Sequence, residues 1–160
     1  KVSGIDFNVQ HNGEFSGFNT KIELEATRLL AHENTPLPGQ AINDLLGKIT
    51  EDQGSYTKWR GNLGFTLQAQ SWATHYAIRY IGGADDINGG GPIGSSVPSI
   101  TYHDVQASYQ VSNNFSLSAG IDNLFDKSAP FLTSWNDANT DVMTYDLLGR
   151  RGYLKLNVSF

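Results

Sequence analysis

Apolar and polar side chains alternate along seven segments of the chain, and a period of two predicts β-strands with one apolar and one polar face. The last segment, YLKLNVSF, alternates without a break from Tyr153 to Phe160. The other six cover roughly residues 3–11, 17–30, 58–68, 72–80, 104–111 and 115–125. Such strands fit either a soluble sheet with its apolar face inside or a membrane barrel with its apolar face outside.

The connections between the strands favour the barrel. Tight turns at NGEFS, AQS and SNN alternate with long loops over residues 32–56, 82–99 and 127–149. Outer-membrane barrels have short turns at one end and long loops at the other, whereas a soluble meander has no reason to do so. A strand of about 10 residues, tilted by about 45°, spans the apolar band of roughly 25 Å. The pattern therefore predicts an all-β fold, an antiparallel transmembrane β-barrel.

At the apolar positions of the strands, aromatic residues lie near both strand ends, where a barrel meets the two interfaces of a bilayer. Those near the short turns are Trp72, Tyr109, Phe115 and Phe160, and those near the long loops are Trp59, Tyr80 and Phe125. A soluble sandwich with aromatic core ends is the alternative, but its strands are rarely so uniform.

The composition narrows the function classes. A net charge of -5 without a basic stripe argues against nucleic acid as a partner. The absence of cysteine excludes a disulfide scaffold and a thiolate metal site. No signal peptide precedes the first strand, so we expect a mature, processed or truncated N-terminus.

Seven consecutive strands cannot close a barrel by themselves. Each of the two open edges would leave about five donors and five acceptors in lipid, at several kcal/mol apiece. That total exceeds the roughly 5–15 kcal/mol of net stability of a folded domain. We therefore expect residues 1–160 to be the C-terminal part of a larger barrel, whose earlier strands are absent and whose true end is Phe160.

Two segments carry a resemblance to a known family. GIDNLFDKSAP, residues 120–130, followed by TYDLLGRRGYLKLNVSF with its terminal aromatic residue, resembles the C-terminal end of TonB-dependent outer-membrane receptors. KWRGNLGFTLQAQSWATHYAIRYIGG, residues 58–83, resembles an earlier hairpin of the same barrels. In that family a 22-stranded barrel is closed by an N-terminal plug domain.

The resemblance implies a transport function and not an enzyme, and it implies no cofactor. A scarce nutrient (an oligosaccharide, a ferric siderophore or cobalamin) binds at the outer face of the bacterial outer membrane. Energy comes from the inner-membrane TonB complex through an N-terminal segment, which is absent here together with the plug. The implied partners are therefore the rest of the barrel, the plug, the TonB complex, outer-membrane lipid and the small-molecule nutrient. The barrel assembly machinery is a further partner, since the alternating Leu156, Val158 and Phe160 resemble the signal that it recognises.

Ligand contacts are expected on the long loops. Phe131 and Trp135 are the leading candidates, because exposed aromatic rings stack on sugars or on aromatic siderophores. The alternative is that both rings hold the loop against its neighbours. Weaker candidates are Asn136, Asp137, the lumen-facing Arg79, and His32 at a loop mouth.

The remaining motifs are weak. Asp137, Asn139 and Asp141 have the opening spacing of a calcium loop, but Val142 replaces the required glycine and no glutamate follows. GADDINGG is similarly acidic, and a solvated loop is favoured at both places. GGGPIG matches a dinucleotide fingerprint in spacing only, because no helix follows it.

Three further local predictions follow from spacing. Ala41, Ile42, Leu45, Leu46 and Ile49 are spaced as one face of a short helix, packed over the barrel mouth or docked on a partner. His75 is expected to face the lumen as a wall residue. His103 is expected near the outer rim, on the outward parity.

Two rival functions remain open. A passive porin or an outer-membrane barrel enzyme would share the architecture, although the sequence contains no catalytic constellation. A soluble β-sheet binding module is the third hypothesis.

Overall fold

The computed structural model describes residues 1–50, 54–89, 91–135 and 138–159. Twelve strands are present in these residues: β1 (Val2–Phe15), β2 (Phe18–Asn34), β3 (Asn43–Asp44), β4 (Lys48–Thr50), β5 (Gly54–Ser55), β6 (Trp59–Gln68), β7 (Trp72–Ile81), β8 (Ala84–Asp86), β9 (Ser96–Val97), β10 (Ile100–Ser112), β11 (Phe115–Asp122) and β12 (Arg151–Val158). The described residues contain no helix, and so none long and apolar enough to cross a membrane.

The seven predicted strands form one antiparallel sheet in the order β1-β2-β6-β7-β10-β11-β12. Each tight connection joins neighbours in this order, and the three long loops lie at the opposite end of the sheet. The sheet is open, because β1 and β12 are not neighbours. The fold is therefore an all-β, antiparallel partial barrel, as the alternation predicted.

The first tight turn is shorter than predicted. β1 continues to Phe15, which pairs with Phe18, so most of NGEFS belongs to the strand. Only Ser16 and Gly17 make the turn, with φ angles of 51° and 82°. Two positive φ angles give the turn type whose twist matches that of the flanking strands.

Burial in this protein is the reverse of that in a soluble sheet. The apolar face of the sheet is exposed, and its exposed side chains include Ile5, Phe7, Val9, Ile22, Leu24, Phe65, Leu154, Leu156 and Val158. The buried apolar cluster consists of Ile49, Ala84, Val97, Ile100, Tyr102, Leu132, Trp135 and Tyr145, which come from the long loops and the adjoining end of β10. A contiguous apolar surface of this extent is expected to contact lipid or another protein.

The buried cluster is the core of a structure that we call the loop cap, formed by the described parts of residues 35–58, 82–99 and 123–150. A second sheet, in the order β5-β4-β8-β9, joins the first two loops, and its β4 and β8 pair in parallel. The third loop contributes Leu132, Trp135 and Tyr145. Because Tyr102 lies on the polar parity of β10, the core lies over the end of the sheet's polar face.

The predicted helix around residues 41–49 is wrong. The segment forms β3, a turn and β4 instead. The Asp44 carboxylate accepts a hydrogen bond from the Leu46 amide at 3.0 Å, and Gly47 has a φ angle of 73°. A side chain that accepts a hydrogen bond from a nearby backbone amide competes with the helix. A residue with a left-handed backbone conformation ends one. Ile49 still packs inward, fully buried in the core of the loop cap.

Candidate functional site

The polar face carries a cluster of charged side chains beneath the loop cap. Arg79 on β7 donates from Nε to Asp104 Oδ2 at 2.7 Å and from Nη2 to Asp104 Oδ1 at 3.3 Å. The Arg79 guanidinium also lies 4.9 Å from the centre of the Tyr102 ring. Asp104 Oδ1 accepts a further hydrogen bond from the Asn123 amide at 2.8 Å. Such a two-point pair fixes the orientation of both groups as well as their charge.

Two arginines fasten the third loop to the polar face. Arg79 Nη2 lies 3.9 Å from Asp146 Oδ2. Arg60 Nη2 donates to the Thr144 hydroxyl at 3.3 Å and to the Ser55 carbonyl at 2.7 Å. The third loop therefore turns inward over the polar face, where its backbone is supported by the wall.

A polar pocket of about 440 Å³ lies between this part of the loop and the sheet. Its lining is Arg79, Asp104, Asp122, Met143, Thr144, Tyr145, Asp146 and Arg151. Asp122 and Arg151 form an ion pair of 3.4 Å across β11 and β12. Because both signs of charge converge there with two hydroxyl-bearing residues, Thr144 and Tyr145, the pocket suits a polar solute that donates and accepts hydrogen bonds.

The two leading aromatic candidates occupy different environments. Trp135 is buried in the core of the loop cap with 4% of its surface exposed, so its ring holds the loop against its neighbours, as the alternative proposed. Phe131 is 56% exposed and lines a smaller pocket of about 250 Å³ together with Pro98 and Lys127. Ligand contact therefore remains a prediction for Phe131, while Trp135 would reach a ligand only after the cap had opened.

The two weaker candidates that the structure describes, His32 and Arg79, do not share a pocket. The His32 ring stacks on the Tyr56 ring with centroids 3.8 Å apart, at the start of the first loop. Of the four candidates that the structure describes, Arg79 alone lines the polar pocket described above. Asn136 and Asp137 lie outside the described residues, as does Phe160 of the predicted assembly signal.

His75 and His103 lie on the faces that their parity predicted. His75 is on the polar parity of β7, with Nδ1 2.9 Å from the Thr66 hydroxyl. His103 is on the apolar parity of β10, with Nδ1 2.7 Å from the Tyr76 hydroxyl and its ring edge-on to Phe125. Both rings therefore have partners in the wall itself.

The acidic loops use their carboxylates to join loop to loop. Asp141 is fully buried and accepts hydrogen bonds from the Ser55 hydroxyl at 2.6 Å and from the Met143 amide at 2.9 Å. Asp86 is also buried and accepts from the Ser134 hydroxyl and from the Asn88 amide. Each serine belongs to a different loop from its aspartate, so the two pairs attach the third loop to the first and to the second.

These contacts bear on the suggested calcium loop. Both oxygens of Asp141 already accept protein donors, and the Asn139 side chain donates to the Trp135 carbonyl at 3.3 Å. Across the described residues, no group of three or more His, Asp or Glu side chains is arranged to hold a metal ion. The cation site at Asp137, Asn139 and Asp141 stays an untested prediction, because Asp137 is not described.

Tyr145 is a buried titratable group of the cap whose pKa is shifted. Burial raises the pKa of its hydroxyl above the ordinary value, and the neighbouring Ser55 opposes the rise only in part. The Tyr145 hydroxyl makes no hydrogen bond to the described residues. Ionisation of Tyr145 would therefore place an unpaired charge in the core of the cap.

Sequence reasoning overlooked Asp104, Asp146 and Arg60 as site residues. The alternation placed Asp104 and Arg60 on the polar face. Alternation predicts the face on which a side chain lies, but it does not predict which residue that side chain contacts. Asp146 lies in a loop without periodicity, so no local signal indicated that it meets Arg79.

An open antiparallel sheet with an exposed apolar face and a polar face capped by its own loops defines a wall segment of a membrane β-barrel. A family model described as "TonB dependent receptor-like, beta-barrel" matches residues 1–124. The chain belongs to the TonB-dependent receptor β-barrel family. Comparison with curated proteins gives no match.

Solved structures of similar fold are receptors of this type. A mutant ferric enterobactin receptor of Pseudomonas aeruginosa in complex with enterobactin matches with 20% identity and a TM-score of 0.71, covering 99% of this chain and 22% of that one. A second mutant of the same receptor gives 19% identity, a TM-score of 0.67 and the same coverage. This chain therefore spans about a fifth of the length of those receptors, and the likeness concerns the fold.

Proposed function

We propose that this chain forms part of the wall and extracellular cap of an outer-membrane receptor that takes up a scarce nutrient with energy from the TonB complex. The observation that carries the proposal is a loop cap with its own buried core, lying over the polar face of a barrel wall of this family. An ordered cover over the lumen suits a receptor that binds its solute before passing it inward. An always-open pore has less use for one.

The proposed partners are those of the family. A plug domain and the earlier strands complete the barrel, the inner-membrane TonB complex supplies energy, and outer-membrane lipid surrounds the apolar face. The barrel assembly machinery inserts the chain, with Leu156 and Val158 on the exposed apolar face of β12 as part of its signal.

The ligand is proposed to contact the polar pocket and the exposed rim of the cap. Arg79 and Arg151 with three aspartates offer paired donors and acceptors, and Phe131 offers an exposed ring. Asn136, Asp137 and His32 are further proposed contacts. A polar solute of the oligosaccharide, ferric siderophore or cobalamin classes fits this chemistry.

Uptake by cells is the direct test. A strain lacking the receptor is complemented with the full-length gene and given a maltooligosaccharide, a ferric catecholate or cyanocobalamin, each labelled. Uptake of one probe is expected, and it should stop when the protonmotive force is dissipated. Uptake that persists without the protonmotive force would indicate a passive porin and overturn the proposal.

A matched pair of variants tests the pocket. Arg151→Gln removes a charge from the pocket lining, whereas Lys155→Gln removes one from the same strand and face outside the lining. We expect Arg151→Gln to weaken binding of the transported probe by about tenfold, the value of one charged hydrogen bond. Equal affinity in both variants would place the ligand elsewhere.

A further inference from the structure

Arg28 is a charged side chain on the apolar face of the sheet. It pairs in register with Ile5 on one side and with Trp59 on the other, and it is exposed. In the described part of the chain, no carboxylate forms an ion pair with it. A cation on a lipid-facing surface is costly unless it lies near the interface or meets an anion.

The guanidinium of Arg28 is held in place by an aromatic ring. Its Cζ atom lies 5.4 Å from the centre of the Trp59 ring, and that ring stacks on Phe7 at 6.2 Å and 21°. A cation–π contact of this kind positions the group without using its N–H donors. Among the described residues those donors have no acceptor.

Arg28 lies at the level of the sheet where the long loops begin. The next residue, Leu29, bonds through its amide to the Lys58 carbonyl at 3.0 Å, and Trp59 is the first residue of β6. Trp59 and Tyr80 belong to the aromatic tier at this end. This is the depth at which lipid headgroups meet a barrel, and a basic side chain there costs only about 0–1 kcal/mol.

The two residues directly below Arg28 on the apolar face are small. The next outward residues toward the membrane centre are Ala26 and Gly61, which are paired in register. Phe7 lies beside Ala26 and Tyr80 lies beside Gly61, so two rings border a pair of residues with almost no side chain. A Cβ at Gly61 would lie 3.4 Å from the Ala26 Cβ. The next apolar residues toward the membrane centre are Leu24 and Leu63, which are paired in register.

We propose that Arg28 and Trp59 form a headgroup site for the phosphate of an anionic lipid of the outer leaflet, with an acyl chain along the exposed apolar face below. The guanidinium fork matches a phosphate with two parallel hydrogen bonds, and Trp59 aims it. The inference rests on the proposed function, because only a barrel embedded in a membrane presents this face to lipid.

Native mass spectrometry of the full-length receptor, purified in detergent from outer membranes, tests the site. The probes are lipid A with its two phosphates and the same lipid without them. We expect the phosphorylated lipid to bind better, and Arg28→Gln to lower its affinity about tenfold. Arg28→Lys keeps the charge without the two-point guanidinium contact and should lose less affinity for this lipid than Arg28→Gln does. Trp59→Leu should lower the affinity about two- to threefold.

Lys155→Gln serves as the matched control, since it removes one positive charge from the polar face of β12 and should leave lipid binding unchanged. Heat-modifiable mobility on gels checks that each variant is folded. Equal lipid A affinity in Arg28→Gln and the wild type would overturn the inference, as would equal binding of the two probes. A receptor that imports its nutrient yet shows either result refutes the lipid site alone, whereas a protein absent from outer membranes would refute the proposed function as well.

Discussion

Arg79 and Asp104 join neighbouring strands through two hydrogen bonds, at 2.7 Å and 3.3 Å, while Arg79 Nη2 also lies 3.9 Å from the Asp146 carboxylate of the third loop. The guanidinium group of Arg79 thus contacts both the barrel wall and the loop cap. We expect Arg79→Gln to raise amide exchange over residues 144–148 about fivefold, equivalent to about 1 kcal/mol for a partly exposed ion pair. Hydrogen-exchange mass spectrometry measures this.

Arg151→Gln is the control for that experiment. Its partner Asp122 lies on the wall and not in the loop, so exchange over residues 144–148 should stay at the wild-type rate. An unchanged loop in Arg79→Gln would mean that the Arg60 contacts and the hydrogen bond from the Asp146 amide to the Tyr102 hydroxyl hold it without Arg79.

Substitution of Trp135 and of Phe131 compares the loss of a buried aromatic ring with the loss of an exposed one. Trp135→Ala removes a buried ring from the core of the cap and should cost about 3–5 kcal/mol of local stability. Phe131→Ala removes an exposed ring and should cost less than about 0.5 kcal/mol. Limited proteolysis of the loops in isolated outer membranes should therefore accelerate for Trp135→Ala only, and similar cleavage rates in both variants would contradict the assigned core.

The loop cap should loosen at high pH. Folding raises the pKa of the Tyr145 hydroxyl above its ordinary value of 10.0, so the folded cap holds the proton more tightly than the unfolded chain does. The resulting loss of stability is absent below pH 10 and grows as the pH rises above it. Fluorescence of the buried Trp135 should report the transition.

Tyr145→Phe has no proton to lose and should remove or weaken this alkaline transition. Because the substitution leaves the ring in the core, stability at neutral pH should change little. The same transition in wild type and variant would assign it to another group.

Gly120 makes room for an aromatic ring on the polar face. A Cβ at this position would overlap the Tyr153 ring on the neighbouring strand, whereas a Cβ at Gly152 would find its nearest neighbour 4.0 Å away. We expect Gly120→Ala to destabilise the barrel by about 1–3 kcal/mol, the usual cost of overpacking. Gly152→Ala should change stability by less than about 0.5 kcal/mol.

Denaturant unfolding of the receptor in lipid vesicles compares the two alanine variants. Gly120→Ala combined with Tyr153→Ala should recover part of the loss, because the clash needs both side chains. If Gly120→Ala alone is neutral, the Tyr153 ring can move away at no cost.

The strands were predictable because alternation is a local property of the chain. Residues such as Leu154, Leu156 and Val158 show their face without knowledge of any partner, and the tight turns and long loops then set the ends of the sheet. The same reasoning predicted the faces of His75 and His103.

The loop cap was not predictable, because its contacts join positions far apart in sequence. Ser55 and Asp141, which share a hydrogen bond, are 86 residues apart, and β4 pairs with β8 across the whole of β6 and β7. Leu45 and Ile49 have helical spacing. However, Asp44 just before them and Gly47 between them favour a turn. Burial of Trp135 likewise depends on loops that no window around it contains.

The parallel pairing of β4 with β8 has a consequence for loop engineering and for evolutionary exchange. An epitope tag or a transplanted segment inserted at one of these loops would leave its partner with unpaired backbone groups and an exposed half of a core. Receptor chimaeras should consequently accept the three segments of the loop cap together far more readily than any of them singly. Sequence drift in one segment should be matched by compensating changes in the other two.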